Sequence, residues 1–90
     1  MDLGKYSFVL AGKLRKQIVL LLDEPKTPTQ LMSVIKTQDS SIARTLRELR
    51  KEKIVICLFP EKKKGRLYKL TKQGGDIRTK LTKQKSLSGV

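Results

Sequence analysis

The chain has 90 residues, with 21 Lys and Arg against 8 Asp and Glu, a formal net charge of +13, no His, no Trp and one Cys. That length makes one domain with a modest core. The residue inventory excludes disulfide frameworks and zinc sites built from His and Cys clusters, and it assembles no nucleophile–base or general acid–base pair, so an enzyme is not expected.

The charge is one-sided. Met1 to Ile35 holds 5 basic and 3 acidic residues, a balance of +2, whereas Lys36 to Val90 holds 16 and 5, a balance of +11. A solvated basic surface needs no such asymmetry. A polyanion does, because each phosphate neutralised by Lys or Arg releases condensed counterions. The apolar run Ile18 to Leu22 is too short to span a bilayer, and no secretory signal precedes it. A soluble cytoplasmic protein with no membrane contact is therefore expected.

In chain order, Leu10, Leu14, Ile18 and Leu21 recur at helical spacing, with Lys13, Arg15, Lys16 and Gln17 between them. They predict a first helix ending near Asp23 and Glu24. Gly12 interrupts this stripe, and the preceding Tyr6-Ser7-Phe8-Val9 is open to helix, arm or short strand. Pro25 to Pro28 breaks the chain. A second helix then starts on clear chemistry, with Thr27 at the N-cap, Pro28 at the first helical position and Gln30 three residues after the cap. That is a capping box. Leu31, Val34 and Ile35 supply its apolar face, and Lys36-Thr37-Gln38 is a turn of the length that joins the helices of a helix-turn-helix.

A third helix, capped by Asp39 or Ser40, carries Ile42, Leu46 and Leu49 at i, i+4 and i+7, bordered by Ala43 and Thr45. Counting 100° per residue puts Ser40, Arg44, Arg47 and Lys51 on the opposite side, a cationic face whose one carboxylate is Glu48. After Lys53 the pattern turns β-branched at Ile54-Val55-Ile56-Cys57-Leu58, passes through Phe59 to Arg66 with Pro60, Gly65 and three successive lysines, and resumes at Leu67-Tyr68-Lys69-Leu70. Two strands about a basic turn make a hairpin. Cys57 reads as a small buried hydrophobe ahead of a redox switch. Beyond Gly74 and Gly75, Ile77 and Leu81 mark a fourth helix that either joins the first helix in a dimer surface or caps the core. Residues 1–83 form the predicted domain, and 84–90 are expected to be a disordered basic tail.

The run Ser40-Ser41-Ile42-Ala43-Arg44-Thr45-Leu46-Arg47-Glu48-Leu49, the hairpin after it and above all its close, Leu67-Tyr68-Lys69-Leu70-Thr71-Lys72-Gln73-Gly74, resemble the winged helix-turn-helix of small archaeal and bacterial transcriptional regulators of the MarR and ArsR type. The resemblance covers residues 10 to 82. It implies an α+β, mainly α fold, with a three-helix core, a β-hairpin wing and a C-terminal helix, and two subunits reading a two-fold site on double-stranded DNA through homodimerisation by the first and C-terminal helices. By resemblance, Ser40, Ser41, Arg44 and Thr45 match recognition-helix contacts within about residues 40–52. Arg44 is then the candidate for a guanine edge, with the two serines on phosphate. Arg47 and Lys51 lie on the same face, and Lys62, Lys63, Lys64 and Arg66 match the cationic tip of a wing over 59–66, on backbone or minor groove.

Two departures stand out. Lys53 occupies a place where such regulators often carry Gly, and no His or Cys cluster supports metal sensing. No cofactor, metal or small-molecule ligand is expected. Other readings are a non-specific architectural DNA binder, an RNA-binding winged helix, which Phe8, Phe59, Tyr6 and Tyr68 equip with no evident stacking platform, and a protein-interaction module, which a cationic third helix does not suit.

Overall fold

The computed structural model describes residues 2–61 and 66–88, the last five as backbone only. The element order is α1 (Leu3–Leu10), α2 (Lys13–Leu21), α3 (Pro28–Val34), α4 (Asp39–Lys51), β1 (Val55–Leu58), β2 (Leu67–Leu70) and α5 (Lys72–Ser88). This is the expected mainly helical α+β winged-helix architecture.

The single first helix of the sequence reading is two helices. Asp2 caps α1, its carboxylate accepting from the Lys5 amide at 3.2 Å, and Gly12, in extended conformation, is the N-cap of α2. The break resets the helical phase, so Leu10 does not lead the α2 stripe and is 41% exposed. Tyr6 and Val9, three residues apart, turn inward from α1 instead, and Ile18, Val19 and Leu22 do so from α2 and the residue after it. The segment Tyr6 to Val9, open in the sequence, is helix.

The capping box that opens α3 is present in full. The Thr27 hydroxyl accepts from the Gln30 amide at 3.2 Å, and the Gln30 carboxamide accepts from the Thr27 amide at 2.8 Å. Just before it, Lys26 exchanges both backbone hydrogen bonds with Tyr68, at 3.0 and 2.8 Å, so the α2–α3 loop adds a rung to β2. The prolines on either side conceal that pairing from a strand pattern in the sequence.

Strands β1 and β2 pair antiparallel in the register Val55–Leu70, Ile56–Lys69, Cys57–Tyr68 and Leu58–Leu67. Ile18, Leu31, Ile42, Leu46, Leu49, Ile54, Val55 and Ile77 all reach the shared core and are almost wholly removed from solvent. Each such side chain contributes about 1.5–3 kcal/mol relative to an exposed one. Helix α5 runs to Ser88, past Gln84, where a disordered tail is expected from composition.

Candidate nucleic-acid interface

Helices α3 and α4 meet through the turn Ile35 to Gln38, closed by hydrogen bonds from the Ile35 amide to Leu31 O at 2.8 Å and from the Thr37 amide to Ile35 O at 2.9 Å. Neither Asp39 nor Ser40 caps α4. The N-cap is Gln38, which makes no side-chain cap bond, and Asp39 stands in the first turn, where its carboxylate complements the helix dipole.

Helix α4 divides cleanly. Ile42, Leu46 and Leu49 are buried, and Ser40, Arg44, Arg47 and Lys51 are exposed on the other side. Ser41 is half-buried at the margin. Thr45 is the correction: only 6% exposed, it belongs to the inward face, and its side chain is not on the outer surface. The helical wheel alone places it there, since it lies one turn before Leu49. Arg50, three residues after Arg47, is exposed too, although the same count sets it at the flank of the apolar stripe, one turn after Leu46.

The ion pairs among the described residues leave that outer face uncompensated. They join Arg15 to Glu48 at 3.6 Å, and Lys26 to Asp23 and Glu24 at 2.8 and 3.9 Å. The hydrogen bond from Lys26, with its positive charge, holds the Asp23 carboxyl below its ordinary pKa. Arg44, Arg47 and Lys51 enter none of these pairs. Three cations on one helical face, with the Glu48 carboxylate paired to Arg15, form a local positive field suited to phosphate.

Position of the wing follows from the end of α4. The amide of Lys53 donates to Arg50 O and that of Ile54 to Leu49 O, both at 2.9 Å, and Lys53 has φ of 60°. This is a Schellman motif with lysine where glycine is usual, at a cost of roughly 1–2 kcal/mol for the left-handed conformation. Burial of both Ile54 and Leu49 supplies the apolar contact that accompanies such a motif. The tight turn is thus made without glycine, and the chain enters β1 directly from the outward-facing helix.

Thr71 locks the other side of the hairpin. Its hydroxyl donates to Lys53 O at 2.7 Å, its amide donates to Ile54 O at 3.0 Å, and its oxygen accepts from the Gly74 amide at 3.1 Å, capping α5 as the sequence predicts. Phe59, at φ of 58°, turns the chain out of β1, and Arg66 sits half-buried immediately before β2. Lys62, Lys63 and Lys64 lie outside the described residues.

Among the described residues no group of His, Cys, Asp or Glu could hold a metal ion, and no helix is long and apolar enough to cross a membrane.

No family profile matches the sequence, and no curated protein matches it. Solved structures do. The reduced transcriptional regulator YodB from B. subtilis superimposes with a TM-score of 0.78 at 20% identity, over 96% of this chain and 88% of its own. AdcR, the adhesin competence repressor of Streptococcus pyogenes, gives 0.76 at 15% identity, over 86% of this chain and 59% of its own. A cysteine-to-serine mutant of MarR from E. coli, complexed with operator DNA, gives 0.64 at 28% identity, over 84% and 57%. The chain therefore spans about three-fifths of the length of AdcR and of MarR. It has the winged helix-turn-helix fold of the MarR-like transcriptional regulators.

Proposed function

We propose that the chain is a sequence-specific, double-stranded DNA-binding transcriptional regulator. The observation that carries this reading is the cationic face of α4, where Arg44, Arg47 and Lys51 enter no ion pair among the described residues, presented by a helix-turn-helix whose inner face is committed to the core. Arg44 reads a base edge in the major groove, where a guanidinium pairs bidentately with guanine O6 and N7. Ser40 and Ser41 contact phosphate near the helix start, and Arg47, Arg50 and Lys51 follow the backbone. Lys62, Lys63, Lys64 and Arg66 extend this contact to an adjacent backbone or minor groove through the wing. MarR, with which the chain shares 28% identity, is known bound to operator DNA, and that supports a duplex as the partner.

Two subunits read a two-fold site, joined through α1 and α5. The exposure of Leu3 and Leu10 on α1, 63% and 41%, supports an apolar contact there. The reaction is occupancy rather than chemistry: a bound dimer blocks or recruits polymerase, and the protein acts in the cytoplasm, at the nucleoid.

Selection of bound duplexes from a random pool at physiological salt, with duplex RNA as competitor, tests the reading. Enrichment of a two-fold repeated motif is expected. Retention of DNA with no motif would mark an architectural binder, and capture by the RNA competitor would move the function to RNA.

A further inference from the structure

Arg15 on α2 makes three separate contacts. Its guanidinium lies 3.8 Å from the centroid of the Phe8 ring, its Nη1 donates to Phe8 O at 2.8 Å, and its Nε is 3.6 Å from Oε1 of Glu48. Phe8 O belongs to the last turn of α1, where carbonyls lack helical partners. Gly12 leaves the room for this: a Cβ there would stand 2.7 Å from Cδ and 2.9 Å from Cγ of Arg15. The side chain is therefore fixed at both ends, on α1 and on the reading helix.

Glu48 is the acidic residue that matters on α4, because it follows Arg44 by four positions. Residues so spaced are neighbours on a helix surface, and opposite charges there pair. Yet Arg44 makes no ion pair or hydrogen bond among the described residues, and Glu48 is engaged by Arg15 instead. We infer that Arg15 is a positioning residue for DNA reading: it draws the Glu48 carboxylate toward α2 and so keeps the Arg44 guanidinium available to a base. This rests on the function proposed above. Without Arg15 the carboxylate turns to Arg44, competes with the base for the same donors and places a negative charge among the phosphates.

The experiment is a double-mutant cycle on Arg15→Gln and Glu48→Gln, read as the ratio of affinities for the selected motif and for random duplex, with thermal melts of every variant. Arg15→Gln is expected to lower that ratio about threefold, a modest effect because surface pairs at this spacing are weak. Adding Glu48→Gln returns the ratio to that of wild type, and Glu48→Gln alone leaves it unchanged. If the double variant keeps the full loss of Arg15→Gln, Arg15 acts only by packing α1 on α2 and the inference falls. Arg15→Met, which retains the apolar stem, takes the place of the glutamine variant if that one does not fold. Failure of the parent reading shows separately, because wild type then retains no motif even with Arg15 and Glu48 intact.

Discussion

The two adjacent glycines of α5 offer a matched pair with opposite outcomes. In a helix, Gly→Ala ordinarily stabilises by up to about 1 kcal/mol. Gly75 meets that condition, since a Cβ there would touch nothing within 4 Å. Gly74 does not: its Cβ would collide with the carbonyl of Ile54 and press on Leu70 Cδ2 at 3.1 Å. That carbonyl is backbone, fixed by the Schellman turn, and cannot swing aside. Relief requires α5 to retreat from the base of the wing, which breaks the bond from the Thr71 amide to Ile54 O at 3.0 Å and loosens the Thr71 hydroxyl bond to Lys53 O. Two hydrogen bonds at about 1 kcal/mol each, with a carbonyl left partly unsatisfied, give a loss of about 2–4 kcal/mol. Subtracting the helix gain leaves Gly74→Ala destabilised by about 1–3 kcal/mol, or roughly 5–20 °C in a domain of this size. Thermal melts followed by circular dichroism at equal concentration measure both variants. A Gly74→Ala protein that melts with or above Gly75→Ala would refute the close approach of α5 to the wing.

Arg44→Ala is expected to relax sequence preference by about 1–3 kcal/mol in competition between motif and random duplex, a bidentate base contact being worth that much. Replacing Lys62, Lys63 and Lys64 with Ala weakens all duplexes alike and reduces the salt slope by roughly 0.9 for each phosphate no longer neutralised, measured by binding titrations across ionic strength. Thr45→Val leaves the selected motif unchanged and alters stability by about 1 kcal/mol or less, because the side chain lies on the core side; a changed motif would return Thr45 to the groove. The depressed pKa of Asp23 makes its pairing with Lys26 a stabilising contribution that is present above the ordinary carboxylate pKa of 3.8 and lost as pH falls through the lower folded value. Acid unfolding of Asp23→Asn, compared with wild type, should lack that component below pH 3.8.

Local chemistry is legible where a residue type and a spacing each demand one conformation. Thr27, Pro28 and Gln30 specify a helix start whatever surrounds them, and the stripe of Ile42, Leu46 and Leu49 specifies which side of α4 faces inward. Thr71 as the cap of α5 and the run Leu67 to Leu70 as a strand belong to the same class. The cationic outer face follows by subtraction, so most of the candidate interface on α4 is readable from residue order and charge alone. The family resemblance added the roles of those residues, and in Thr45 it conflicted with the helical count, which the structure favours.

What the tertiary structure decided is set by contacts between distant segments. Leu10 continues an i, i+4 pattern in the sequence, but two helices packed at Gly12 expose it and bury Val9. Lys26 pairs with Tyr68, 42 residues away by number, and neither local propensity nor charge announces the bond. Lys53 accepts a left-handed conformation that its type disfavours, because two backbone hydrogen bonds and the burial of Ile54 outweigh roughly 1–2 kcal/mol of local strain. The engagement of Glu48 by Arg15 is of this kind too. Sequence order places Glu48 beside Arg44, and only the packing of α2 against α4 supplies the second arginine that holds it elsewhere.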